Sequence, residues 1–165
     1  MRLALVLGGG GPVGIAWETG VLGGLRASGV DVSGAAIIVG TSAGSVVGAQ
    51  LARGLDMLAE YERLLAAGDQ RRVAPMEPDL ETVQRIFTLW GSFDEMNQEA
   101  CRAIGALALE AKTAPEEAFL SAFVLDDRAW PPGPLVTTAV ECATGAFATF
   151  DPSSGVSLRR AVAAS

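Results

Sequence analysis

Histidine is absent from this chain of 165 residues. With it go the commonest general base, the commonest metal ligand and every Ser-His-Asp or Cys-His mechanism supplied from within the sequence. Cysteine is scarce as well: Cys101 and Cys142 are too few for a disulfide framework and too far apart for paired zinc ligands. The sequence therefore reads as that of a reduced, cytoplasmic protein, with no metal and no cofactor expected. Aromatic residues make up only 6%, and 12 Lys and Arg face 19 Asp and Glu for a net charge of −7. Such a surface repels phosphate backbones and offers few platforms for stacked bases, and Arg71-Arg72 and Arg159-Arg160 are the only basic pairs, so no nucleic-acid partner is expected.

Long apolar runs are missing too, despite a composition that is 50% hydrophobic. The stretch 32–52 carries no formal charge and has Gly40, Gly44 and Gly48 at the spacing of packed membrane helices. Its Ser33, Thr41, Ser42, Ser45 and Gln50 dilute it well below a membrane span. A strand followed by a helix describes it better, so no integral membrane span is expected. At the N-terminus, Arg2 precedes a short apolar run that stops at four consecutive glycines, too short for the core of a signal peptide.

What is present is a repeated strand-turn-helix unit. Leu3 to Leu7 is an apolar run of strand length and is expected to be buried on both faces. Gly8 to Gly11 follow, and Ile15, Trp17, Val21, Leu22 and Leu25 then recur at helical spacing until Gly29. Ala35 to Val39 reads as the next strand, and a helix from Ala43 to Ala52 comes after Gly40-Thr-Ser-Ala-Gly44. The middle, residues 55–122, is expected to be mainly helical. Strand composition returns at Leu135 to Val140 and Ala146 to Phe150, and Ser157 is placed to cap a last helix from Leu158 to Ala164. Repetition of the unit predicts one α/β domain over 1–165, with a mainly parallel sheet between two layers of helices.

Two glycine motifs carry the chemistry. Gly40-Thr41-Ser42-Ala43-Gly44 fits G-x-S-x-G between an apolar strand and a helix, where small neighbours let the chain turn tightly enough to present Ser42 at the carboxyl edge of the sheet. The same residues could also serve merely as a tight connection. Gly8 to Gly14 opens the first helix at the same edge, so its backbone N–H groups suit an oxyanion hole. A dinucleotide-binding loop is the competing reading, but it wants an acidic residue at the end of the second strand, and Asp31 precedes that strand.

LGGGGPVGIAWETGVLGGL, followed about twenty residues later by VGTSAGSVVGA, resembles the patatin-like phospholipases, which are lipid acyl hydrolases. LVTTAVECATGAFATF and SLRRAVAAS are similar to later segments of the same family. The resemblance implies the family's α/β/α fold, Ser42 as nucleophile in an elbow bounded by Gly40 and Gly44, and Gly9, Gly10 and Gly11 as the oxyanion loop. Val13 stands where many members carry Arg or Lys. Members pair the serine with an aspartate of a later Asp-Gly-Gly or Asp-Gly-Ala motif, and no Asp here is followed by Gly; Asp126, Asp127 and Asp151 lie in other contexts.

A Ser-Asp dyad accounts for the missing histidine, since a carboxylate within reach of Ser42 Oγ can act as the base. The base is expected from polypeptide beyond Ser165, either in a longer chain or on a second polypeptide left associated after cleavage. The domain is in this sense expected to be incomplete at its C-terminal side. The substrate is expected to be a lipid or other ester, with an acyl pocket lined by Phe87 and Trp90 of the helical middle. The alternatives are a non-catalytic α/β binding module or degenerate hydrolase and, among enzymes, an acyltransferase.

Overall fold

The computed structural model describes residues 2–67, 79–121 and 130–165, so Arg71-Arg72, Asp126 and Asp127 lie outside the described residues. Four strands, β1 (Ala4–Leu7), β2 (Ile37–Gly40), β3 (Leu135–Val140) and β4 (Phe147–Phe150), form one sheet in the order β1-β2-β3-β4. β1 pairs with β2 and β2 with β3, both parallel, with Leu7 opposite Gly40 and Gly40 opposite Thr137. The helices are α1 (Gly11–Ala27), α2 (Ala43–Ala52), α3 (Met57–Ala67), α4 (Leu80–Trp90), α5 (Gln98–Glu110), α6 (Glu116–Ser121) and α7 (Leu158–Ala164). This is the expected α/β class. The described residues fall into two compact units.

The first unit comprises residues 1–71, 125–138 and 149–165. Its core sits where α2 crosses the sheet: Gly48 lets the helix backbone approach Ile38, Leu135 and Leu7, and Val47 and Leu51 are buried beside them. α3 packs on α1 because Gly23 leaves room for the Met57 carbonyl and Tyr61, while Asp56 caps α3 by accepting the Leu58 amide at 2.9 Å. α1 ends in a left-handed Gly29 (φ 82°), with the Val30 N–H bonded back to the Leu25 carbonyl at 2.9 Å. α7 begins at Ser157, which accepts the Arg160 amide, and it buries Leu158, Ala161 and Val162 completely or nearly so.

β1 departs from the expectation of burial on both faces. Among the described residues it is paired along one edge only, by β2. Leu7 is buried beneath α2, whereas Val6, pointing the other way, is 73% exposed. An unbroken apolar run thus marks a strand without proving a second covering layer.

The second unit comprises residues 72–124 and 139–148. α4 packs on α5, and α5 meets the turn after β3 so closely that a Cβ on Gly105 would collide with the Cys142 backbone. Asp79 and Asn97 cap α4 and α5 by accepting the amides of Thr82 and Ala100. Phe87 and Trp90 stack with ring centroids 6.3 Å apart, but at 65% and 52% exposure they form a surface pair, which runs against the expected acyl pocket.

Candidate active site

The site is built where β1 and β2 end. Register places Leu7 beside Gly40, so both chains leave the sheet together. The Thr41 N–H donates to the Leu7 carbonyl at 3.0 Å and the Gly44 N–H to the Gly8 carbonyl at 2.8 Å, binding the turn after β2 to the loop after β1. Between these bonds Ser42 takes φ 53° and ψ −113°, the only positive φ of any non-glycine among the described residues. A side chain held there costs about 1–3 kcal/mol, which the neighbouring structure must offset.

The flanking glycines show how it is offset. A Cβ on Gly44 would lie 2.3 Å from the Leu7 carbonyl oxygen, and one on Gly40 2.4 Å from that of Gly44. Neither position admits any side chain, because the opposing atoms are backbone. The G-x-S-x-G spacing is therefore dictated by contact, and the serine is left half-buried at the N-cap of α2. Its carbonyl accepts from the Ser45 amide at 3.0 Å and the Ser45 hydroxyl at 2.6 Å. Its own amide donates to the Ser165 hydroxyl at 2.8 Å, tying the end of α7 to the elbow.

The glycine loop passes directly alongside. A Cβ on Gly9 would stand 3.7 Å from Ser42 Cβ, and Gly14 of α1 lies against Ala43. Gly10 is the N-cap of α1 and supplies no side chain to that cap, so the first-turn amides are not consumed by it. The residues that sequence assigned to the elbow and the oxyanion loop, Gly9, Gly10, Gly11, Gly40, Ser42 and Gly44, thus lie within one pair of adjoining turns. Thr41 and Thr138 join their hydroxyls at 2.7 Å across the carboxyl ends of β2 and β3. Among the described residues, no group of three or more His, Cys, Asp or Glu is placed to hold a metal ion, and no helix is long and apolar enough to cross a membrane.

Sequence reasoning did not single out Ser45, Thr138, Ser165 or Glu18. The first three act through contacts that no local pattern announces. Glu18 had a signal, a lone acid within the glycine-rich and apolar stretch of α1. It is only 4% exposed; burial pushes its carboxyl above the ordinary carboxylate pKa, an effect that the Gly8 backbone partly offsets. A raised folded-state pKa means that the folded chain binds more protons than the unfolded one between the ordinary and the raised values, so stability from this group is present at low pH and lost as pH rises through that window. Glu18→Gln, which cannot titrate, should gain stability relative to the parent as pH rises and match it more closely in acid. Thermal melts of both proteins at acidic and mildly alkaline pH test this; a pH-independent difference would contradict it.

Residues 5–165 match the family described as patatin-like phospholipase. A comparison with curated protein sequences gave no significant match. Among solved structures, the crystal structure of the type III effector protein ExoU aligns with a TM-score of 0.47 and 20% identity, covering 98% of this chain and 39% of that one. The present chain thus spans well under half the length of that protein. With the family match running through both glycine turns and on to the end of α7, the chain belongs to the patatin-like phospholipase family.

Proposed function

We propose that the protein is a cytoplasmic serine acyl hydrolase acting on lipid or other carboxylic esters, with Ser42 as nucleophile and the Gly9, Gly10 and Gly11 amides as oxyanion hole. The observation that carries this reading is the left-handed Ser42, wedged between two glycines that tolerate no Cβ and set against a loop of unencumbered amides. A strained serine at a strand-to-helix turn is costly for a mere connection and useful for a nucleophile. Family membership supports a lipid ester as substrate.

In this reaction Ser42 Oγ bonds to the ester carbonyl carbon as its proton passes to a carboxylate. The carbonyl oxygen becomes an oxyanion held by the loop amides, and the alcohol leaves with the proton. Water then attacks the acyl-serine by the same route, returning the free serine and a carboxylic acid. An acceptor alcohol in place of water would make the reaction an acyl transfer.

The base is an aspartate from polypeptide following Ser165, in the same chain or on an associated cleaved piece. Residues 1–165 alone should hydrolyse a soluble nitrophenyl ester roughly 10²–10⁴-fold more slowly than the chain carrying its natural downstream sequence, the range expected for loss of a general base. Equal rates from a species of verified intact mass ending at Ser165 would overturn this assignment. Esterase activity in neither form would favour a non-catalytic module.

A further inference from the structure

A backbone N–H drawn out of water has to find an acceptor, and regular structure offers none at Ser42. β2 ends at Gly40 and α2 begins at Ala43, so the Ser42 amide lies past the ladder of the sheet and ahead of the first bond within the helix. Its acceptor comes from 123 residues away: the Ser165 hydroxyl, at 2.8 Å. The neighbouring peptide groups are held from within the elbow, the Thr41 carbonyl accepting the Gly44 amide at 2.9 Å and the Ser42 carbonyl accepting the amide and hydroxyl of Ser45. The planar peptides before and after the Ser42 Cα are thus both pinned, and φ and ψ of Ser42 are the rotations that relate them. Ser165 is itself well anchored. Its amide donates to the Val162 carbonyl at 3.2 Å, and Leu158, Ala161 and Val162 of the same helix are buried.

We propose that Ser165 is a positioning residue for the nucleophile, its hydroxyl fixing the peptide between Thr41 and Ser42 so that Ser42 keeps the left-handed conformation that sets it beside the glycine loop. This rests on the acyl-hydrolase reading above. A strained residue stays strained only where its surroundings over-determine it. The Thr41 and Gly44 amides tie the elbow to the Leu7 and Gly8 carbonyls on either side of Ser42, and α7 adds the bond at Ser42 itself. Losing that bond frees the Ser42 amide to seek another acceptor by turning its peptide, which swings the Ser42 side chain away from Gly9, where the two residues now stand in contact distance. An uncharged acceptor also suits the place. A carboxylate bonded to this amide would set a negative charge close to the forming oxyanion, whereas a hydroxyl accepts the N–H without one.

The test uses the full-length protein with Ser165→Ala, which removes the acceptor, and Ser165→Thr, which keeps it. Should the Ala variant fail to fold, Ser165→Gly takes its place. Three quantities are read: kcat and KM on a soluble short-chain nitrophenyl ester, the rate of Ser42 labelling by a fluorophosphonate, and hydrogen exchange of the Ser42 amide against those of Thr41 and Ala161, which bond to the Leu7 and Ser157 carbonyls. The Ala variant should lose roughly tenfold to a hundredfold in kcat and labelling rate at nearly constant KM, since the nucleophile is misplaced while the surface that binds substrate is untouched. Its Ser42 amide should exchange faster while Thr41 and Ala161 stay protected, and the Thr variant should recover most of both. An Ala variant with parental kcat and Ser42 exchange overturns the proposal, as does an equal loss in Ala and Thr. Faster exchange at Ala161 to the same degree as at Ser42 also overturns it, because α7 has then loosened as a whole. If the parent itself neither labels nor turns over, the acyl-hydrolase reading fails by that result alone. Exchange then decides the Ser165 anchor separately, unchanged Ser42 protection in the Ala variant refuting it.

Discussion

Ser42→Gly is expected to raise the melting temperature by a few degrees while abolishing ester hydrolysis. Ser42 holds φ 53° with a side chain attached. Glycine occupies that region freely, so the change removes about 1–3 kcal/mol of strain, against about 0.5–1 kcal/mol of added chain entropy in the unfolded state. In a domain of this size each kcal/mol is worth about 2–4 °C. Ser42→Ala removes the same hydroxyl and retains the Cβ, so it should be equally inactive without the gain in stability. The pair of variants separates chemistry from strain. Thermal melts and nitrophenyl-ester assays on both provide the check: a less stable Ser42→Gly contradicts the strained elbow, and an active Ser42→Ala contradicts the nucleophile.

Gly44→Ala should be strongly damaging to both stability and site. Its Cβ would meet the Leu7 carbonyl oxygen at 2.3 Å, the Leu7 carbonyl carbon at 2.4 Å and Leu7 Cβ at 2.6 Å. None of these atoms is the free end of a flexible side chain. β1 would have to part from α2, opening the Gly44 to Gly8 hydrogen bond that joins the two turns. A loss of about 3 kcal/mol, at the top of the range for overpacking, is expected together with loss of Ser42 labelling. Gly24→Ala is the control. It is exposed within α1 and a Cβ there meets nothing within 4 Å, so alanine should stabilise by about 0.5–1 kcal/mol. Chemical denaturation of the two variants measures both effects; equal stabilities would contradict the contact argument.

These expectations also mark how far the sequence could be read. α2, β3 and α7 lie where composition and caps put them, because each is bounded by residues whose local preference and tertiary role agree, such as Ser157 before α7. β2 begins two residues later than the apolar run from Ala35 suggests, since the ladder starts where β1 offers a partner, Ala4 opposite Ile37. The exposure of Val6 on β1, and of Phe87 and Trp90 on α4, had no signature, because an apolar residue looks the same whether or not something covers it. At the site, both glycine turns were legible because backbone contacts impose residue types at fixed spacing. The Ser165 and Thr138 contacts were not, since each joins segments far apart in sequence, and an acid on a helix ordinarily reads as a solvated one.

The central claim, that Ser42 is an activated nucleophile, is met most directly by treating the full-length protein with a fluorophosphonate and locating the adduct by peptide mass spectrometry. The account predicts one adduct per chain, on Ser42, that disappears in Ser42→Ala. An adduct on another serine, or none on a folded protein that includes its downstream sequence, would contradict it.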